Sequence, residues 1–407
     1  MVDRKVAFIT GITGQDGSYL TEFLLEKGYI VCGMVRRSSE INTSRISKIM
    51  EKHEKMGDPE SRLKLCYGNL MDATSIRRAL EMFKPDEVYN LAAQSHVGLS
   101  FQVPEETLDI ISLGTLRLLE AIKEMGLKCK FYQASSSELF GISPPPQNEE
   151  TSMQPQSPYG IAKLAAFHLT KHYRSAYGMF ACNGILFNHE SPRRGVNFVT
   201  RKITMEIAKI LARETKKIEL GNLDAKRDWG FSKEYVEGMW KILQHETPED
   251  FVLSIGETHT VREFLQECFS LLGLNYEDFI EISDRYKRPA EVPALLGDST
   301  KARKILGWDP KVKFHELAKM MLAADLKQKF ERAGIVPIDH NNEKSDDFYI
   351  EKGRELAKIL KKDLAENFRK KLEEAGLVPV ENGVEMSDDF YIKKGRELVR
   401  LLNEKSP

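Results

Sequence analysis

Two short stretches place reactive side chains close together: "SSSELFG" at residues 135–141 and "YGIAK" at 159–163. In the spacing YxxxK the phenol of Tyr159 and the ammonium of Lys163 fall one helical turn apart on the same face. Lys163 can therefore stabilise the phenolate and lower a phenol pKa that starts near ~10. Tyr159 then becomes a usable base for a hydroxyl group. Ser136, at the end of a strand-like run, can hydrogen-bond the same hydroxyl and share its proton as a hydride leaves the carbon. Those three residues suffice for an alcohol oxidation. Glu138 adds a second chemistry. Two residues beyond Ser136, it is expected on the same side of an extended segment. A carboxylate there can take the C–H proton that a neighbouring new ketone acidifies and return it to a departing hydroxyl.

The surrounding elements must position this set. Short apolar runs, "KVAFIT", "YIVCGMV", "LKLCYG", "EVYNLA", "CKFYQAS" and "FACNGILF", alternate with helical patterns. That alternation predicts an α/β fold, a Rossmann-type doubly wound parallel sheet with helices on both faces. Gly11, Gly14 and Gly17 fall at the turn between the first strand and its helix, where missing side chains let backbone amides approach a pyrophosphate. The GxxGxxG spacing suits the short-chain dehydrogenase variety of that turn. The second strand ends in "MVRRSS", where a carboxylate would select NAD; Arg36 and Arg37 would instead meet the 2'-phosphate of NADP with charge-assisted bonds.

After about residue 190 the pattern shifts to helices with short strands such as "FVLSIG" (251–256), so the expected division is a cofactor domain at 1–190, a smaller substrate lobe at 191–327 with some exchange of segments, and a helical tail at 328–407. Within the tail "ERAGIVPIDHNNEKSDDFYIEKGREL" (331–356) recurs as "EEAGLVPVENGVEMSDDFYIKKGREL" (373–398), offset by 42. Ser345 and Ser387, each followed by two aspartates and an amphipathic run, are expected to cap helices. The tail reads as a packing or assembly element, or else a regulatory one.

The 407 residues are 41% hydrophobic and 30% charged, with a formal net charge of -1, which fits an ordinary enzyme-sized chain and gives no basis for nucleic-acid binding. No apolar run approaches the ~18 residues of a membrane span and no signal peptide is evident, so a cytoplasmic location is expected. The five cysteines are far apart without CxxC spacing and read as buried thiols. His168 and His172 are an i, i+4 pair on the YxxxK helix; a surface face is the expectation there, and no metal site.

The stretches "ITGQDGSYL", "VRRSS", "INTSRI", "NLAAQSHV", "YQASSSELFG", "SPYGIAK", "GILFNHESPRRGVNFVTRKI", "LGNLDAKRDWG" and "RPAEV" resemble the GDP-mannose 4,6-dehydratase family, within the extended short-chain dehydrogenase/reductase superfamily, over roughly residues 4–327. The resemblance implies Ser136, Glu138, Tyr159 and Lys163 as the catalytic set. It implies NADP contacts from Gly11, Thr13, Gly14, Gln15, Asp16, Gly17 and Arg36, from Asn69 and Leu70, from Leu91, Ala92, Ala93 and Ser95, from Tyr159 and Lys163, and from Leu186, Asn188, His189 and Arg194. Ser95, Ser136, Glu138, Asn188, Lys202, Arg227, Arg288 and Glu291 would hold the nucleotide sugar. Cations suit a diphosphate, and a carboxylate can accept from ribose hydroxyls or the guanine edge.

The implied reaction is dehydration of GDP-mannose in deoxysugar biosynthesis, by internal hydride transfer. A dimer or tetramer is also implied, with the 36–46 loop at an interface and Arg45 reaching a neighbour's cofactor site. Three features depart from the family pattern: Ser136 for Thr, Phe140 for Tyr, and Asn69 for an Asp near the adenine. A GDP-heptose or other nucleotide-sugar 4,6-dehydratase would need the same residues. A 4-epimerase would not need Glu138, and a non-catalytic NADP sensor would have no use for the set.

Overall fold

A computed structural model describes residues 4–39, 42–55, 61–286, 288–341, 343–375 and 386–404. Its centre is a seven-stranded sheet built from β1 (Val6–Thr10), β2 (Ile30–Val35), β3 (Leu63–Tyr67), β4 (Glu87–Asn90), β5 (Lys130–Ser136), β6 (Ala181–Leu186) and β7 (Phe251–Leu253). Every pairing is parallel, in the order β7-β6-β5-β4-β1-β2-β3. The apolar runs lack strict alternation because both faces are covered. Phe8, Cys32, Val88 and Phe131 enter one core, while their neighbours Ile9, Val31, Tyr89 and Tyr132 enter another on the opposite face. The expected doubly wound sheet is thus the observed one, and its seventh strand comes from the "FVLSIG" run beyond residue 190.

The order of strands reverses between β1 and β4. At such a switch point the connections leave in opposite directions and open a crevice at the carboxyl ends of the strands. Both the glycine turn after β1 and Leu91–Ser95 after β4 lie there.

Two compact units divide the chain. The first comprises Met1–Lys202, Leu220–Phe264 and Ile282–Ala318; the second comprises Ile203–Glu219, Leu265–Glu281 and Lys319–Pro407. In the second unit Ser345 caps helix Asp346–Glu374, accepting from Phe348 N at 3.4 Å, and Ser387 accepts from Phe390 N at 3.3 Å at the start of helix Asp388–Glu404. The sequence repeat is a packing repeat. Lys327 lies over the Tyr349 ring at 5.6 Å, and the equivalent Arg369 lies over Tyr391 at 5.7 Å. Residues 376–385 of the second copy lie outside the described residues. Among the described residues no helix is long and apolar enough to cross a membrane.

Candidate functional site

The glycine turn is held tightly against the neighbouring strand end. Gly11 has φ 73, a left-handed value that favours glycine, and a Cβ there would stand 2.8 Å from Ala92 N and 3.1 Å from Leu91 C. A side chain on Gly17 would strike the backbone of Gly11 and Ile12. Helix Gln15–Glu26 starts at Gly14 with no side chain capping it, so its first-turn amides are offered to an anionic group. Arg45 adds positive charge: Nε donates to Arg193 O at 2.8 Å and Nη1 to Thr13 O at 3.2 Å. Burial, then the Arg201 and Arg193 charges, hold Arg45 below its usual pKa. Within its own chain Arg45 thus lies on the glycine turn; residues 40 and 41 of its loop lie outside the described residues. These features fit a dinucleotide.

Asp16 and His189 join this turn to the segment after β6. His189 Nε2 meets Asp16 Oδ2 at 2.9 Å and Nδ1 meets Phe187 O at 2.7 Å. Both ring nitrogens face acceptors, an arrangement that the imidazolium form satisfies. Burial opposes this charge, yet attraction to Asp16 prevails and the His189 pKa is raised; burial likewise works against Asp16, and His189 and Ser232 hold it well below the usual carboxylate range. Gln15 Nε2 donates to His189 O at 3.0 Å, and Arg194 pairs with Glu190 at 3.1 Å. Leu186 is buried in the core and Asn188 half-buried beyond it.

The four residues singled out for chemistry gather at the end of β5. Ser157 accepts from Gly160 N at 3.0 Å, and Pro158 supplies a preset φ where no amide hydrogen is needed. Together they start helix Pro158–Tyr177, with Tyr159 in its first turn. Tyr159 N donates to Ser100 Oγ at 3.2 Å, and its ring packs with Ile111, Ala162 and Ala166, and with Ala93 from the β4 end. Gly160 abuts Glu138: a Cβ would stand 2.9 Å from Glu138 O.

Two expectations change. Glu138 is not on an extended segment: Ser137–Leu139 forms a single 3₁₀ turn, tied by Glu138 N donating to Ser136 Oγ at 3.2 Å. The Ser136 side chain competes for the local amide and curls the chain. Nor does Lys163 draw the Tyr159 pKa down. Burial pushes the phenol up to about 12, the Ser136 hydroxyl opposing it and the Glu138 charge adding to it. Burial also brings Lys163 down to about 8, and its Nζ donates to Ala134 O at 2.6 Å, standing 5.8 Å from the centre of the Tyr159 ring. Desolvation penalises both ions, which sequence spacing alone does not register.

The residues expected around the nucleotide end are more spread. Arg36 and Arg37 are exposed after β2, two strands along the sheet from β4. Asn69, after β3, spends its side-chain oxygen on Met71 N at 3.1 Å, while Leu70 is buried against Gly114. Ser95 is exposed. Phe140, in place of Tyr, is fully buried and stacks on Phe187 at 5.9 Å.

Two of the cationic residues meet at one carboxylate. Arg227 Nη2 donates to Glu291 Oε1 at 2.9 Å, and Arg288 pairs with the same oxygen at 3.5 Å. Lys202 lies 3.4 Å from the centre of the Tyr286 ring. Three residues escaped the sequence reading: Ser100, Tyr286, and Asp228. Asp228 is fully buried and takes the amides of Ile255 and Gly256 at 2.9 Å and of Gly297 at 3.3 Å. Its place in "KRDWG" beside Arg227 was the available signal. Among the described residues no group of His, Cys, Asp or Glu could hold a metal ion.

A parallel sheet that opens at its switch point, with a glycine turn pressed on one strand end and a buried Tyr-Lys helix beside the next, is a Rossmann-type architecture with a site suited to a dinucleotide. Within that class the chain belongs to the GDP-mannose 4,6-dehydratase family, whose profile matches residues 8–321. It is 56% identical over 328 residues to GDP-mannose 4,6 dehydratase 1 of Arabidopsis thaliana, covering 80% of this chain and 90% of that protein. It is 50% identical over 344 residues to GDP-mannose 4,6 dehydratase of Homo sapiens, covering 80% and 92%. Among solved structures, the UDP-glucose 4-epimerase of Thermotoga maritima with UDP-glucose aligns with a TM-score of 0.69 at 24% identity, over 79% of this chain and 99% of that one. dTDP-glucose 4,6-dehydratase of Bacillus anthracis in complex with NAD aligns at 0.66 and 20% identity, over 81% and 97%. These two likenesses speak for the fold alone.

Proposed function

We propose that the protein is a cytoplasmic lyase that converts GDP-mannose to GDP-4-keto-6-deoxy-mannose and water, using bound NADP catalytically. The observation that carries this reading is Glu138 on the turn between Ser136 and the Tyr159 helix. A carboxylate there is surplus to alcohol oxidation and is what water loss requires. Relatives at 56% and 50% identity carry the name of this activity.

The glycine turn, the Asp16–His189 pair, Arg194, Arg36 and Arg37 would hold the cofactor. Bound NADP would supply the hydride acceptor and a positive charge on its nicotinamide ring. Tyr159 takes the proton of the sugar 4-hydroxyl as a hydride leaves C4, with Ser136 bonded to the same oxygen. Burial pushes the phenol up to about 12, so positive charge near it would ease its deprotonation. Glu138 removes the C5 proton that the 4-ketone acidifies and hands it to the departing 6-hydroxyl as water. Tyr159 gives its proton to C5, while a cofactor hydride would return to C6, which restores every protein group. Arg227, Arg288 and Lys202 offset the charge of the diphosphate, and Glu291, shared by two arginines, remains able to accept from the nucleoside.

Mass spectrometry of the protein incubated with GDP-mannose, GDP-heptose, UDP-glucose and dTDP-glucose, with catalytic NADP, tests the reading. Loss of one water from GDP-mannose is expected; water loss only from another sugar would replace the substrate, and none at all would sink the dehydratase. The NADP preference has its own test. Removing both Arg36 and Arg37 to Ala is expected to weaken NADP about tenfold or more while leaving NAD unchanged, since each charge-assisted bond contributes about 1.5–3 kcal/mol. Fluorescence titration reads both constants, and equal weakening of the two cofactors would contradict the assignment.

A further inference from the structure

The first turn of helix Ser232–Gln244 touches both members of the Asp16–His189 pair. Ser232 Oγ donates to Asp16 Oδ1 at 2.7 Å, while Asp16 Oδ2 is the oxygen that meets His189. Both carboxylate oxygens are thus held, from two directions. The Tyr235 ring lies on the imidazole of His189, with ring centres 4.7 Å apart and planes 20° from parallel. Ser232 and Tyr235 are three residues apart, so a single turn presents the hydroxyl and the ring on one side.

The local sequence builds this stack. Asn188–Glu190 pairs in parallel with Trp229–Phe231, which sets Gly230 opposite His189. A Cβ on Gly230 would stand 2.3 Å from the Tyr235 ring, so glycine leaves that ring its place. Trp308 meets Tyr235 edge-on at 5.3 Å and donates Nε1 to Glu234 O at 2.9 Å. Tyr235 is fully buried, and its hydroxyl meets no hydrogen-bond partner among the described residues. The ring face is what it offers His189.

The charges around the stack agree with this. Burial works against a charged His189, yet the Asp16 carboxylate raises its pKa, with the Arg194 charge opposing. Glu190, next in the chain, is spent on Arg194 and Thr200. Burial, with the Asp228 and Glu234 charges adding to it, holds the Tyr235 phenol far above its usual pKa, so the ring beside His189 is neutral. The face of a neutral aromatic ring attracts a cation.

We propose that the first turn of this helix is a positioning element of the cofactor site: Ser232 fixes the Asp16 carboxylate, and the face of the Tyr235 ring orients His189 and favours its charged form, which keeps the pair in place beside the glycine turn. The proposal rests on the proposed function for its dinucleotide. Both residues act through the pair and are positioning residues.

The test uses the full-length protein with Tyr235→Phe, Tyr235→Leu and Ser232→Ala. NMR titration of 13C-labelled histidine without cofactor, with the His189 signal identified by its loss in His189→Gln, reads the pair directly. Tyr235→Leu is expected to lower the proton affinity of His189 about threefold or more, a modest cation–π contribution, and Tyr235→Phe to leave it unchanged. NADP affinity, read by fluorescence titration, is expected to fall by about the same factor in Tyr235→Leu and in Ser232→Ala, and to stay as in the parent in Tyr235→Phe. Because the His189 pKa is raised, the share of affinity that depends on the charged pair is present below that pKa and is lost as pH rises through it; in Tyr235→Leu the loss starts at lower pH. An unchanged His189 titration in Tyr235→Leu would overturn the proposal, as would a Tyr235→Phe variant that behaves like Tyr235→Leu. If Tyr235→Leu fails to fold, Ser232→Ala decides, and unchanged NADP affinity there overturns it. Should the parent protein bind neither NADP nor NAD, the cofactor reading alone fails, and the histidine titration still decides whether Tyr235 positions the pair.

Discussion

Glu138→Gln lowers turnover of GDP-mannose by about 100-fold or more while NADP binding stays as in the parent protein. The magnitude is the low end of what one positioned acid–base group contributes. Glutamine keeps the size and much of the polarity of the side chain but cannot take or return a proton. It also leaves undisturbed the backbone features that hold the turn, since those are the Ser136 cap and the close approach of Gly160 to Glu138 O. Oxidation at C4 does not use the carboxylate, so it should survive. A single turnover quenched and examined by mass spectrometry is expected to hold a sugar that has lost hydrogen at C4 but not water. Near-normal turnover in E138Q would remove Glu138 from the chemistry and leave an epimerase-like site.

Much of the fold was legible because it rests on local pattern. Runs such as "KVAFIT" and "YIVCGMV" are apolar on both sides, and that is the mark of a sheet covered on both faces. Ser345 and Ser387 were legible for the same reason, a cap being a contact between residues three apart. The site was legible only in part. Side-chain identity suggested which groups could act, but the 3₁₀ turn at Ser137–Leu139 depends on a serine competing with the strand for an amide, and the run of polar residues hides that. The expected lowering of the Tyr159 pKa does not appear because spacing gives neighbours and not burial, and here burial outweighs the neighbour. Ser100 reaches Tyr159 N across 59 residues of sequence, and no periodicity announces such a contact. The tail repeat was visible, whereas the bonds of its Arg354 and Arg396 to Leu271 and Asp278 are tertiary events with no local trace.

Tyr159→Phe should fail earlier in the reaction than E138Q, and by a comparable or larger factor, about 100 to 10,000-fold. Phenylalanine keeps the ring that packs with Ile111, Ala162 and Ala166, so the fold and the start of helix Pro158–Tyr177 are preserved. Only the oxygen is lost. In the parent protein burial pushes that oxygen's pKa up to about 12, so in the proposed reaction a positive charge brought beside it would ease loss of its proton. With no oxygen present, the 4-hydroxyl has only Ser136 to take its proton, and a serine is a far weaker base. A quenched turnover of Y159F is therefore expected to return unchanged GDP-mannose, with no ketone and no water loss. The two variants divide the reaction at the ketone: E138Q stalls after it, Y159F before it. If Y159F instead accumulated the ketone, the first proton would be leaving by another route, and Lys163, brought down to about 8 and standing 5.8 Å from the ring, would be the group to examine next.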